Sequence, residues 1–92
     1  MDHRDLTVDP GQHRAHIRLL RRCAQHVIRT QLASPWAVAR WFHINDERAR
    51  GLLVELELVG IVGPQPSQGQ SRDVLVLPDQ ADAVIDERIP LP

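Results

Sequence analysis

Lysine and tyrosine are absent from this 92-residue chain, and cysteine occurs once, at Cys23. A single thiol excludes an intramolecular disulfide framework and any zinc site built on several cysteines. It fits a reduced, cytoplasmic setting. No apolar run is longer than the four residues from Val74 to Leu77, so the sequence predicts neither a membrane span nor a signal-peptide core. Five glycines and seven prolines are too few for a collagen-like or low-complexity chain. The length predicts one small domain, because two halves would each be too short to bury a core.

What is present instead is arginine. All 11 basic residues are Arg, set against 12 acidic ones, and the net charge of −1 conceals an uneven distribution. Residues 1–11 carry −2. Residues 12–77 carry +4, from nine arginines (14, 18, 21, 22, 29, 40, 48, 50 and 72) against Asp46, Glu47, Glu55, Glu57 and Asp73. Residues 78–92 carry −3. Arg used to the exclusion of Lys fits a GC-rich coding source, and so compact a chain fits a phage gene. A basic body attracts polyanions, although +4 is modest for a nucleic-acid binder and ordinary solvated surface is the alternative.

The apolar pattern predicts mostly helix. Residues 1–8 show no periodicity, residues 1–11 are taken together as a flexible lead, and Asp9-Pro10 within them reads as a cap-then-proline helix start. Ile17, Leu20, Ala24, Val27, Ile28 and Leu32 recur at helical spacing, flanked by Leu19 and Cys23. The opposite face carries Arg14, Arg18, Arg21, Arg22, Gln25 and Arg29. Ser34-Pro35 repeats the start signal for a short helix striped by Val38, Trp41 and Phe42. His43-Ile44 makes a tight connection, and Asn45 caps a third helix lined by Ala49, Leu52, Leu53 and Leu56 and ended by Gly60.

The period then changes. Ile61-Val62-Gly63-Pro64 and the β-branched run Asp73–Leu77 predict a hairpin with a polar tip over residues 65–71. Asp79 is placed to cap a last short helix through Ile85, within an acidic tail over residues 78–92. Three helices and a hairpin, with helices 2 and 3 joined by about three residues, predict an α+β, mostly helical winged helix-turn-helix over residues 12–77. A generic α+β domain is the competing outcome.

From Thr30 to Leu77 the chain also resembles a family, the C-terminal gamma domain of the FtsK-type bacterial DNA translocases. The resemblance rests on Phe42-His43-Ile44, Arg48-Ala49, the run from Glu57 to Pro64, and Arg72-Asp73-Val74-Leu75-Val76, in that order. It implies a winged helix that reads short DNA sequences, here without a motor, since no Gly-rich phosphate loop is present. The family reads bases with an Asn, an Arg and a Glu on helix 3. Those positions hold Glu47, Gly51 and Val54. His43 stands where the family has a basic residue, and Arg72 is the charge left on the wing. The resemblance therefore implies the lineage and not the family's sequence preference.

The outward face of helix 3 is centred on Glu47, Gly51, Val54 and Leu58, with Arg48, Arg50 and Glu55 flanking it. Base edges are normally read by Arg, Asn or Gln. Here Glu47 can accept from a cytosine amino group and Val54 can touch a thymine methyl. Phosphate contacts fall to Arg40, Arg48, Arg50 and Arg72, and Ser34 at a helix N-terminus can bond a phosphate oxygen. The expected function is a small accessory or regulatory protein binding double-stranded DNA, with altered specificity. The alternative is an interaction module, homodimeric or bound to another protein through Val54 and Leu58, that has lost DNA. His13 and His16 read as surface histidines, not metal ligands. Trp36, Trp41 and Phe42 read as core aromatics. Neither a catalytic pair nor a cofactor site is apparent.

Overall fold

The computed structural model describes residues 10–67 and 70–92. Residues 1–9 of the expected lead, with the Asp9 cap, and residues 68 and 69 of the expected hairpin tip lie outside the described residues, while Pro10 and Gly11 already belong to the first helix. Among the described residues the order is α1 (Pro10–Thr30), α2 (Pro35–Phe42), α3 (Asp46–Leu58), a single 3-10 turn over Pro78–Gln80, and α4 (Ala81–Arg88).

The local signals that set these helices are side-chain and backbone caps. Ser34 accepts from the Ala37 N–H at 3.4 Å at the start of α2, and Asn45 accepts from the Arg48 N–H at 2.8 Å at the start of α3. His43 turns the chain between them in the left-handed region, at φ 54°. At the end of α3, Gly60 takes φ 78°, the Gly60 N–H donates to the Glu57 carbonyl and the Ile61 N–H to that of Leu56. That pair of bonds is a Schellman motif, in which glycine avoids the Cβ clash of a left-handed residue. α1 stops earlier than its apolar spacing implies. Gln31 turns left-handed and its amide donates to the carbonyls of Ile28 and Val76, so Leu32 falls outside the helix and is half exposed.

The core joins the inner faces of all four helices. Leu20, Cys23, Ala24, Val27 and Ile28 of α1 meet Val38 of α2, Ala49, Leu52, Leu53 and Leu56 of α3, and Ile85 and Ile89 from the C-terminal end. Truncating any of the larger ones should cost about 2–5 kcal/mol. α4 and Ile89 are thus part of the globule. Arg21 binds α4 to α1 through the Ile85 and Ile89 carbonyls and the Asp86 carboxylate, and Arg88 donates to the carbonyls of Val59 and Gly60. Asp79 lies within the 3-10 turn, and α4 begins without a side-chain cap.

The hairpin wing does not form, and the winged helix-turn-helix is corrected accordingly. Among the described residues there is no strand and no sheet, only two isolated antiparallel bridges, Val62 with Val74 and Ala33 with Arg72. The cause is legible in the hydrogen bonds. Gly63 and Leu75 exchange with Asp73 and Ile61, while Arg72 donates to Ala33 instead. An extended segment that divides its bonds between two partners builds no ladder, and Pro64 has no N–H to continue one. Residues 72–77 form a strap with Arg72 and Val76 turned inward, and Leu75 and Leu77 outward.

Candidate nucleic-acid interface

The nine arginines of residues 12–77 fall into groups by what each guanidinium meets. Arg21, Arg50 and Arg72 are ion-paired, with Asp86 at 2.6 Å, Asp46 at 2.6 Å and Glu57 at 2.7 Å. Arg72 is the exceptional one. Its side chain is 5% exposed, it also donates to the Gly63 carbonyl at 3.0 Å, and its Nε is buried without a partner. Expected on a wing as a phosphate contact, Arg72 instead holds the strap to the end of α3. The correction has the same cause as the missing wing, because Arg72 faces inward once the strap lies against Ala33.

Among the described residues the other six have no carboxylate partner. Arg14, Arg18, Arg29 and Arg48 make no ion pair, Arg22 lies over the Phe42 ring at 5.5 Å, and Arg40 over the Trp36 ring at 4.9 Å. All six are exposed. Four of them belong to α1. At 100° and 1.5 Å per residue, Arg14, Arg18, Arg22 and Arg29 occupy a stripe about 80° wide and about 22 Å long. Through Phe42 this stripe reaches the end of α2 beside His43. Against these six cations, residues 12–77 offer only Glu47 and Asp73 as carboxylates without an ion-pair partner among the described residues. The sequence placed the α1 arginines on an outer face, but nothing in it showed that acidic partners would leave them free.

Around the start of α2 the structure gathers a second group. Ser34, Pro35, Trp36, Asp46, Arg50, Gln65 and Gln70 line an open cleft of about 600 Å³. Three expected site residues, Ser34, Arg50 and (over Trp36) Arg40, thus share one neighbourhood. Trp36 is 66% exposed and is not a core residue, whereas Trp41 and Phe42 pack against His26. Asp46 reduces the charge of this group, since Arg50 is already bound to it.

The outward face of α3 is as the helical period places it. Glu47, Arg48 and Val54 are exposed, and Leu58 is 80% exposed. A Cβ on Gly51 would meet nothing within 4 Å. Glycine inside a helix costs roughly 0.8–1 kcal/mol relative to alanine, and here no neighbour in the chain requires it. The centre of this face offers a carboxylate, bare backbone and two apolar side chains, with no donor for a base edge.

Elsewhere the titratable groups are structural. His16 of α1 and Glu55 of α3 meet at 2.7 Å, both part-exposed. Burial pushes the Cys23 thiol up to about 12, which keeps it protonated and unreactive. Among the described residues no group of three or more His, Cys, Asp or Glu is placed to hold a metal ion, and no helix is long and apolar enough to cross a membrane. No protein-family model matches this sequence, and no curated protein is significantly similar to it.

Proposed function

We propose that this protein binds double-stranded DNA through the phosphate backbone, with α1 as the principal contact and the α2–α3 turn beside it. The observation that carries this is the set of six exposed arginines without a carboxylate partner among the described residues, four of them in one stripe on α1. Guanidinium groups suit this task, since each offers several donors in a planar fork that matches phosphate oxygens. Arg22 and Arg40 are held over aromatic rings, which lowers the entropy lost when they engage a phosphate. His43 and Arg48 extend the basic surface past the end of α2.

Binding of this kind is largely indifferent to sequence. The centre of the α3 face lacks base-reading donors, so the resemblance to a sequence-reading domain supports the DNA and not its preference. The compartment that fits this role is the cytoplasm. Titration of a labelled duplex by fluorescence anisotropy at several salt concentrations tests it. Neutralising four to six phosphates should give a log–log salt slope of roughly −4 to −5. Absence of binding at low salt would remove DNA as the partner.

A further inference from the structure

The outward face of α3 carries both a hole and a knob. Gly51 leaves open space where a side chain would stand, and Leu58, seven residues later, is 80% exposed. Seven residues are almost two turns, so the two lie on one line along the helix, about 10 Å apart. Val54, 45% exposed, sits between them. Glycine is a destabilising choice inside a helix, and it is understandable where another backbone or side chain comes close.

We propose that the protein forms a two-fold symmetric dimer through α3, the two helices crossing antiparallel near Val54. A two-fold axis at that point seats Leu58 of each copy over Gly51 of the other, so that one patch is complementary to itself, as an isologous interface requires. Charge selects the same arrangement. Arg50 and Glu57 occupy the same flank of α3, and the antiparallel crossing brings Arg50 of each copy toward the partner's Glu57. Both retain atoms for this, since the Arg72 bond uses only Oε1 of Glu57 and the Asp46 bond only Nη2 of Arg50. A parallel crossing would instead set glycine against glycine and put Arg50 on the side of the interface away from the partner's Glu57. Glu55, on the opposite flank, is occupied by His16. A patch on one 13-residue helix is small, which places the dimer among weak, concentration-dependent associations.

Sedimentation velocity over a wide concentration range, in high salt and without DNA, reads the association directly. The wild type should pass from monomer to dimer as concentration rises. Gly51→Leu should weaken the dimer by about tenfold or more, while the melting temperature of the monomer holds or rises, because leucine is the better helix former and open space surrounds the site. Val54→Cys should form a disulfide-linked dimer under mild oxidant. Glu47→Cys, which the same crossing keeps about 21 Å from its own copy along the helix axis, should not. A wild type that stays monomeric at every concentration would overturn the dimer and leave this face to a different protein. So would a Gly51→Leu variant that dimerises like the wild type, or equal cross-linking by the two cysteine variants.

Discussion

α1 and α3 have inner faces of the same kind and outer faces of opposite kind. Both contribute fully buried aliphatic residues to one core, Val27 and Ile28 from α1 and Leu52, Leu53 and Leu56 from α3. Outside, α1 presents a stripe of arginines without acidic partners among the described residues, and α3 presents Gly51, Val54 and Leu58 beside a carboxylate, Glu47. Burial of the inner faces dictates the fold, and neither outer face is needed for it. The two proposals rest on this difference: a polyanion would meet the arginines of α1, and a second copy of the chain the apolar face of α3.

The largest effect should come from removing the α1 stripe. Replacing Arg14, Arg18, Arg22 and Arg29 together with Gln should weaken duplex binding at low salt by about 100-fold or more and flatten the salt slope by about 3–4, with the circular dichroism spectrum unchanged. An unaltered affinity would shift the contact to α2 and α3 and erase the contrast between the helices.

The next effect separates a buried arginine from the exposed ones. Arg72→Ala should lower stability by about 2–4 kcal/mol in urea unfolding, since it strips the Gly63 carbonyl and Glu57 of their donor inside the fold. Glu57 is part-exposed, which keeps the loss below that of a fully buried pair. Arg29→Ala should stay within about 0.5 kcal/mol. Similar costs for both would mean that the strap is not held as described.

The inner face of α1 can be probed through pH. Without Lys or Tyr, Cys23 is the one side chain whose ordinary pKa falls between pH 8 and 12. Burial raises its folded-state value from 9.0 to about 12. The unfolded chain therefore loses its thiol proton first, and stability should be complete below about pH 9 and fall as pH climbs toward 12. At pH 10 the loss should be about 1 kcal/mol, and Cys23→Ala should abolish that slope. A slope that survives the substitution would place the alkaline weakness elsewhere.

The smallest expected effect is at Glu47. If α1 carries the DNA contact, Glu47→Gln should alter duplex affinity by less than about twofold. A rise approaching tenfold would indicate that the carboxylate faces phosphate and that α3 lies on the DNA.

Legibility in the sequence followed the range of the interaction. Ser34, Asn45 and Gly60 were readable because a cap is made within a few residues of its own position. The buried faces of α1 and α3 were readable because period alone defines them. The absence of a wing is not legible, because a β-branched run signals extended backbone and not its partner, and Arg72 pairs with Ala33 and not across a hairpin. Arg72, Val74 and Val76 alternate with Asp73, Leu75 and Leu77, one charge and two apolar residues in each set, so the period does not say which set faces inward. The exposure of Trp36 is not legible either, since it stands one residue into a helix of eight, where the period says little. Which arginines would remain unpaired was beyond local reading, because Glu57 reaches Arg72 from 15 residues away and Asp86 reaches Arg21 from 65.

The most direct test of the contrast between α1 and α3 is a titration of the isotope-labelled protein with a short duplex, followed by NMR. Backbone amides from Arg14 to Arg29 and the Nε–H groups of Arg14, Arg18, Arg22 and Arg29 should shift progressively, while amides at Gly51, Val54 and Leu58 should not respond to DNA. Shifts confined to α3, with the arginine signals of α1 unmoved, would contradict the assignment of the two faces.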